Sequence, residues 1–265
     1  MVTQQPQTVV SNGSFRFEVY DNWLQLPDDW DLQQIVGVAV DSSDRLFVFS
    51  RSDHPLTIFS PDGSLVASWD HQEFTRPHGV FIDPHDRVFL TDDMGHSVRC
   101  YSIDGELQMT LGTPGVASPT GVRDCDYRTM DQAAGPFNLP TNVAISPEGD
   151  LYVCDGYGNA RVHHFDAEGT LIASWGEPGD GPGQFHVPHG IRFGPDGLLY
   201  VSDRENSRVQ KFTPGGEVVG EWSGLARPCE VVFDQDNVAY VIEIGFRCGL
   251  FAGHHSARED KPGGR

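Results

Sequence analysis

The stretch Arg76 to Asp92, RPHGVFIDPHDRVFLTD, decides how the rest of the chain is read. GVFI runs into the turn DPHD, and RVFLTD follows as a second apolar run. Next come VRCYS, the turn SIDG and ELQMTL. Asp-Gly between alternating apolar runs is a strong short-range hairpin signal. Pro77 opens the first run, where a strand tolerates the loss of one terminal donor. The unit therefore reads as four short antiparallel strands.

The same pattern returns along the chain. IVGVAVDSSDRLFVFS begins at Ile35, LPTNVAISPEGDLYVCD at Leu139, VPHGIRFGPDGLLYVSD at Val187 and RPCEVVFDQDNVAYVIE at Arg227. Val36, His78, Thr141, His189 and Cys229 occupy matched positions, 40 to 63 residues apart, the range of propeller blades with their loops. The turns SPDG, SIDG, DAEG and TPGG fall at one place in four units, and Pro77, Pro140, Pro188 and Pro228 each open a first strand. No segment keeps a helical period. The expectation is an all-β propeller of four-stranded blades with five repeats visible.

The repeats occupy residues 31–253, after an N-terminal arm of 1–30 with one strand, FRFEVYDNW, and before a polar tail of 254–265. The fifth repeat shows two strands before the tail. An open, C-shaped ring missing its last blade is therefore expected. Its bare strand edge would invite an oligomer.

Composition narrows the function classes. Eighteen Lys plus Arg against 38 Asp plus Glu give a net charge of −20, which disfavours nucleic acid and anionic lipid as partners. No apolar run reaches membrane-span length, and MVTQQPQTVV lacks the pattern of a secretory signal. Five cysteines (Cys100, Cys125, Cys154, Cys229, Cys248) without a CxxC pair argue against a disulfide framework, so a cytoplasmic location is expected.

First strands of propeller blades line the central channel. His78 and His189, each in Pro-His-Gly, would therefore converge on one axis and supply two ligands of a zinc site that uses three. The plainer reading is that each imidazole satisfies a backbone carbonyl. Fourteen residues on stand Ser50, Asp92, Asp155, Asp203 and Glu243. A recurring acid there more often ties a strand to a loop than performs catalysis. Two non-repeated residues nearby suit chemistry better: Tyr157 as a general base and Arg51 as a carboxylate holder. The long insert TPGVASPTGVRDCDYRTMDQAAGP, carrying Arg123, Asp124, Tyr127 and Arg128, is either a substrate loop or decoration.

The repeats resemble NHL repeats. The set RPHGV, CDGYGNARV, VPHGI and SDRENSRVQKF resembles the peptidyl-α-hydroxyglycine α-amidating lyases, from about Ile35 to Trp222. That resemblance implies a six-bladed propeller with zinc on three histidines of alternate blades, of which His78 and His189 are two. It further implies Tyr157 and Arg51 as catalytic residues and a channel calcium near the carbonyl of Val80. The reaction implied is a carbon–nitrogen lyase step on an N-acyl-α-hydroxyglycine, a small-molecule or peptide substrate bearing a carboxylate, giving an amide and glyoxylate. The third histidine has no counterpart in the repeat spacing, and neither His186, His254 nor His255 falls at a matching place. Two other classes remain: a noncatalytic NHL scaffold, and a lactonase-like metal-dependent hydrolase, for which channel carboxylates are lacking.

Overall fold

The computed structural model describes residues 8–12, 15–70 and 73–245. The expected tail, the end of the fifth repeat, Cys248, His254 and His255 lie outside the described residues. The chain divides into two compact units, Met1–Gln72 and Glu73–Arg265. In the first, β1 (Thr8–Asn12) pairs antiparallel with β2 (Phe15–Val19). The arm thus carries a hairpin where the sequence suggested a lone strand. The same unit holds one four-stranded sheet, β3 (Ile35–Val40), β4 (Leu46–Ser50), β5 (Leu56–Phe59) and β6 (Leu65–Ser68).

The second unit repeats that sheet as successive propeller blades. One blade is β7 (Pro77–Ile82), β8 (Val88–Asp92), β9 (Ser97–Tyr101) and β10 (Leu107–Gly112). The next is β11 (Pro140–Ile145), β12 (Leu151–Asp155), β13 (Arg161–Phe165) and β14 (Leu171–Trp175). A third is β15 (Pro188–Phe193), β16 (Leu199–Asp203), β17 (Arg208–Phe212) and β18 (Val218–Ser223). The last described sheet has two strands, β19 (Pro228–Phe233) and β20 (Ala239–Glu243). All pairings within these blades are antiparallel. Among the described residues, no helix is long and apolar enough to cross a membrane.

Local chemistry explains why each repeat folds alike. The first turn needs one left-handed residue, supplied by Asp44, Asp86, Gly149, Gly197 and Asn237 in the five units. Asp and Asn tolerate that region because their short side chains bond locally. The turn is also held from its first residue: the Asp83 carboxylate accepts from the amides of His85 and Arg87 at 2.9 and 2.8 Å. The second turn carries Gly63, Gly105, Gly169 and Gly216, with φ between 84° and 88°. The second strands β8, β12 and β16 are wholly buried, whereas the outer strands β14 and β18 are largely exposed. Apolar side chains then pack between blades. Tyr152 and Cys154 meet Phe185, Ile191 and Phe212 in one cluster, and Phe89 and Val98 meet Phe137 and Val153 in another.

The recurring acids do tie strands to loops. Asp92 accepts from the amides of Thr75, Arg76 and Gly95 at 2.8–2.9 Å, and Asp155 from the Asn138 amide and Asn159 Nδ2. Asp203 takes the His186 amide, Asn206 Nδ2 and Arg208 Nε. Each acid fixes the loop that leads into its own blade's first strand.

Candidate active site

The five matched positions share a backbone defect. Between the first and third residues of each inner strand the register slips by one, leaving Val36, His78, Thr141, His189 and Cys229 as the extra residue. A bulge frees its residue from the ladder and re-aims the side chain. It also frees a carbonyl, and the second unit uses it. His78 Nδ1 donates to the carbonyl of Thr141 at 2.7 Å, and His189 Nδ1 to that of Cys229 at 3.0 Å. Each imidazole therefore leans on the bulge of the following blade, as the plainer sequence reading expected.

That approach requires the glycine of Pro-His-Gly. A Cβ on Gly79 would lie 2.6 Å from the Thr141 carbonyl oxygen, and one on Gly190 would lie 2.4 Å from that of Cys229. The triplet reads physically as strand start, bulge and close approach.

A carbonyl can only accept, so each Nδ1 carries the ring proton and each Nε2 presents a lone pair. Both lone pairs meet one group. The Tyr157 hydroxyl lies 3.1 Å from His78 Nε2 and 3.0 Å from His189 Nε2, and the two imidazole centroids are 4.9 Å apart. One hydroxyl thus faces both ring nitrogens. Burial, reinforced by His78 and Arg204, holds His189 well below the ordinary imidazole range and keeps it neutral. Neutral imidazoles oriented by carbonyls are the form that binds metal. The pair fits two positions of an open zinc site. Among the described residues, no three His, Cys, Asp or Glu side chains converge to hold an ion.

A cation completes the cluster. Arg204 Nη1 donates to the Tyr157 hydroxyl at 3.1 Å, with its guanidinium 5.0 Å from the ring centroid. Behind it, Arg204 Nε donates to Glu205 at 3.0 Å, and Arg227 Nη2 grips the same carboxylate at 2.5 Å. All three are buried. A buried Arg-Glu-Arg triad is a poor source of stability. Here it leaves one net positive charge beside the Tyr157 oxygen.

The expected residues His78, His189 and Tyr157 are thus brought together. Val80 is buried in β7 opposite Leu90. Arg51 belongs to the first unit, exposed, with Nη1 donating to Gln34 Oε1 at 3.3 Å. His186 is occupied elsewhere, its Nδ1 2.9 Å from Asn206 Oδ1. Sequence reasoning passed over Arg204, although it stands at the same repeat position as Arg51. The DREN context was the available signal.

Comparison with known proteins agrees with this architecture. The NHL repeat family matches residues 137–165 and 185–212. Peptidyl-glycine alpha-amidating monooxygenase of Mus musculus is 37% identical over 82 residues, 29% of this chain and 8% of that protein. A probable peptidyl-alpha-hydroxyglycine alpha-amidating lyase of Caenorhabditis elegans is 34% identical over 82 residues, 30% of this chain and 23% of that one. The match therefore spans less than a quarter of either relative. Among solved structures, a streptogramin B lyase superposes with a TM-score of 0.61 at 14% identity, covering 82% of this chain and 64% of that chain. The chain therefore carries NHL repeats on a β-propeller fold and resembles, over about a third of its length, the peptidyl-α-hydroxyglycine α-amidating lyases.

Proposed function

We propose that the protein is a zinc-dependent lyase that cleaves an N-acyl-α-hydroxyglycine into an amide and glyoxylate. The observation that carries this reading is the convergence of two imidazoles and one guanidinium on the Tyr157 oxygen. His78 and His189 would hold the zinc through Nε2. When bound, zinc supplies Lewis-acid polarisation of a coordinated oxygen.

The chain's own residues do the rest. Tyr157, held by the Arg204 Nη1 hydrogen bond, is the general base that accepts the proton of the substrate hydroxyl. The O–H electron pair becomes the carbonyl of glyoxylate as the C–N bond breaks. The departing nitrogen takes a proton, so the sum is carbinolamide to amide plus aldehyde with no other reactant. Thr141 and Cys229, through their carbonyls, keep both imidazoles in the lone-pair tautomer.

The deciding experiment pairs metal analysis of purified protein with glyoxylate release from an α-hydroxyglycine peptide. About one zinc per chain together with turnover supports the lyase. Protein that takes up no zinc and releases no glyoxylate is an NHL binding scaffold.

A further inference from the structure

The insert between β10 and β11 is built as a fixed element. Ser118 N donates to the Phe137 carbonyl at 2.9 Å, and Asn138 Nδ2 donates to Ser118 O and Thr120 Oγ1 at 2.9 and 2.8 Å. At its far end Ala134 and Asn159 exchange two hydrogen bonds of 3.2 Å, so the loop is pinned two residues beyond Tyr157. Met130 packs against the cluster containing Phe185 and Tyr152. Such a loop costs little further ordering when a ligand binds.

Its apex reaches across the blade that carries Tyr157. A short 3-10 turn, Tyr127–Thr129, is capped by the Asp126 carboxylate, and the Tyr127 ring stands 5.5 Å from the His186 ring of the next blade. Tyr127 thus stands beside the segment that carries Arg204, because the amide of the adjoining Glu205 donates to the His186 carbonyl at 3.0 Å.

The apex also neutralises itself. Arg128 donates to Asp126 from Nε at 2.7 Å and from Nη2 at 2.5 Å. What it offers a ligand is the half-buried ring of Tyr127. A carbinolamide substrate has a charged glycolate end and a neutral acyl end. Buried positive charge collects at Arg204 and Arg227, so the carboxylate end turns toward them and the acyl end toward the loop, whose two arginines are outnumbered by three aspartates.

From this juxtaposition we propose that residues 113–136 form a wall of the Tyr157 site, with Tyr127 as a specificity-determining residue that receives an apolar or aromatic residue preceding the hydroxyglycine. This inference rests on the lyase reading. Its test compares N-acetyl-α-hydroxyglycine with N-acetyl-phenylalanyl-α-hydroxyglycine in wild type, Tyr127→Ala and Tyr127→Phe, with thermal melts to verify folding. Tyr127→Ala should raise KM for the phenylalanyl substrate about 3- to 10-fold, the worth of one aromatic pair, with kcat unchanged. The acetyl substrate should be unaffected, and Tyr127→Phe should behave as wild type. Equal kinetics of all three proteins on both substrates would overturn the role of Tyr127 while leaving the lyase standing. No turnover by wild type would remove the lyase and this inference together.

Discussion

Arg204 donates from Nη1 to the Tyr157 hydroxyl over 3.1 Å while its Nε is held by Glu205. The guanidinium is thus aimed by one residue and used by another. A lysine carries all its donors on one nitrogen, without the spaced Nε and Nη1 that serve Glu205 and Tyr157 separately. Arg204→Met and Arg204→Lys should both lower glyoxylate release by about two to three orders of magnitude, as loss of one fixed donor does elsewhere. Steady-state kinetics check this. Wild-type kcat in the lysine variant would show that bare charge suffices and that the fork geometry is irrelevant.

The glycine of Pro-His-Gly offers a second test, because it acts on the site without touching a candidate ligand. A Cβ on Gly79 meets the Thr141 carbonyl oxygen at 2.6 Å, so the inner strands β7 and β11 must separate. The bond that fixes the His78 tautomer breaks with them. Gly79→Ala should weaken zinc binding by about 10- to 100-fold, the usual effect of losing an outer-shell partner. It should also cost about 1–3 kcal/mol of stability through overpacking. Zinc titration and urea unfolding read the two effects separately. Unchanged zinc affinity in a destabilised variant would detach the carbonyl from metal binding.

Asp155 carries no catalytic role on this account. Its buried carboxylate accepts from the Asn138 amide and from Asn159 Nδ2, which also pins the insert at Ala134. Asp155→Ala strands those donors inside the protein, and about 3–5 kcal/mol of stability should be lost. Asp155→Asn can still accept and should recover part of it. If Asp155→Ala folded as stably as wild type yet lost turnover, the acid would have to be moved into the reaction.

The repeat was legible because turn chemistry is local. DPHD and SIDG specify their hairpins without help from the rest of the chain, and Pro77 or Pro188 marks a strand start on its own. The pairing of His78 with His189 followed from that equivalence. The bulge was not legible, since a one-residue slip depends on the partner strand, and neither was its freed carbonyl. Arg204 was hidden for a different reason. It shares a repeat position with Asp93, Gly156 and Ile244, and only the fold shows that it turns toward Tyr157 while Glu205 and Arg227 close behind it. The hairpin of β1 and β2 was missed because TVVSN is too short and polar to signal a strand alone.

Glu230 provides a test in which the sign can be worked out. Next to Cys229 on β19, it accepts a hydrogen bond from Asn142 Nδ2 and stands 3.9 Å from Arg192. Burial pushes its carboxyl up from 4.5 to about 7, against the opposing pull of Arg192 and the Val231 amide. A raised folded value means that the native protein keeps a proton which the unfolded chain releases above about 4.5. Native stability from this group is therefore greatest at low pH, declines as pH rises from about 4.5 to about 7, and is flat beyond. The side chain remains 20% exposed, so the full shift is discounted to about 1–2 kcal/mol. Glu230→Gln keeps an acceptor for Asn142 and removes the titration. Asp203, pushed up to about 6 by burial, titrates in both proteins and cancels in the difference. The variant should match wild type near pH 4 and exceed it by about 1–2 kcal/mol at pH 8, measured by urea unfolding across that range. A difference that does not change with pH would mean that folding leaves the Glu230 titration where it is in the unfolded chain, and one that favours wild type as pH rises that folding favours the ionised carboxylate.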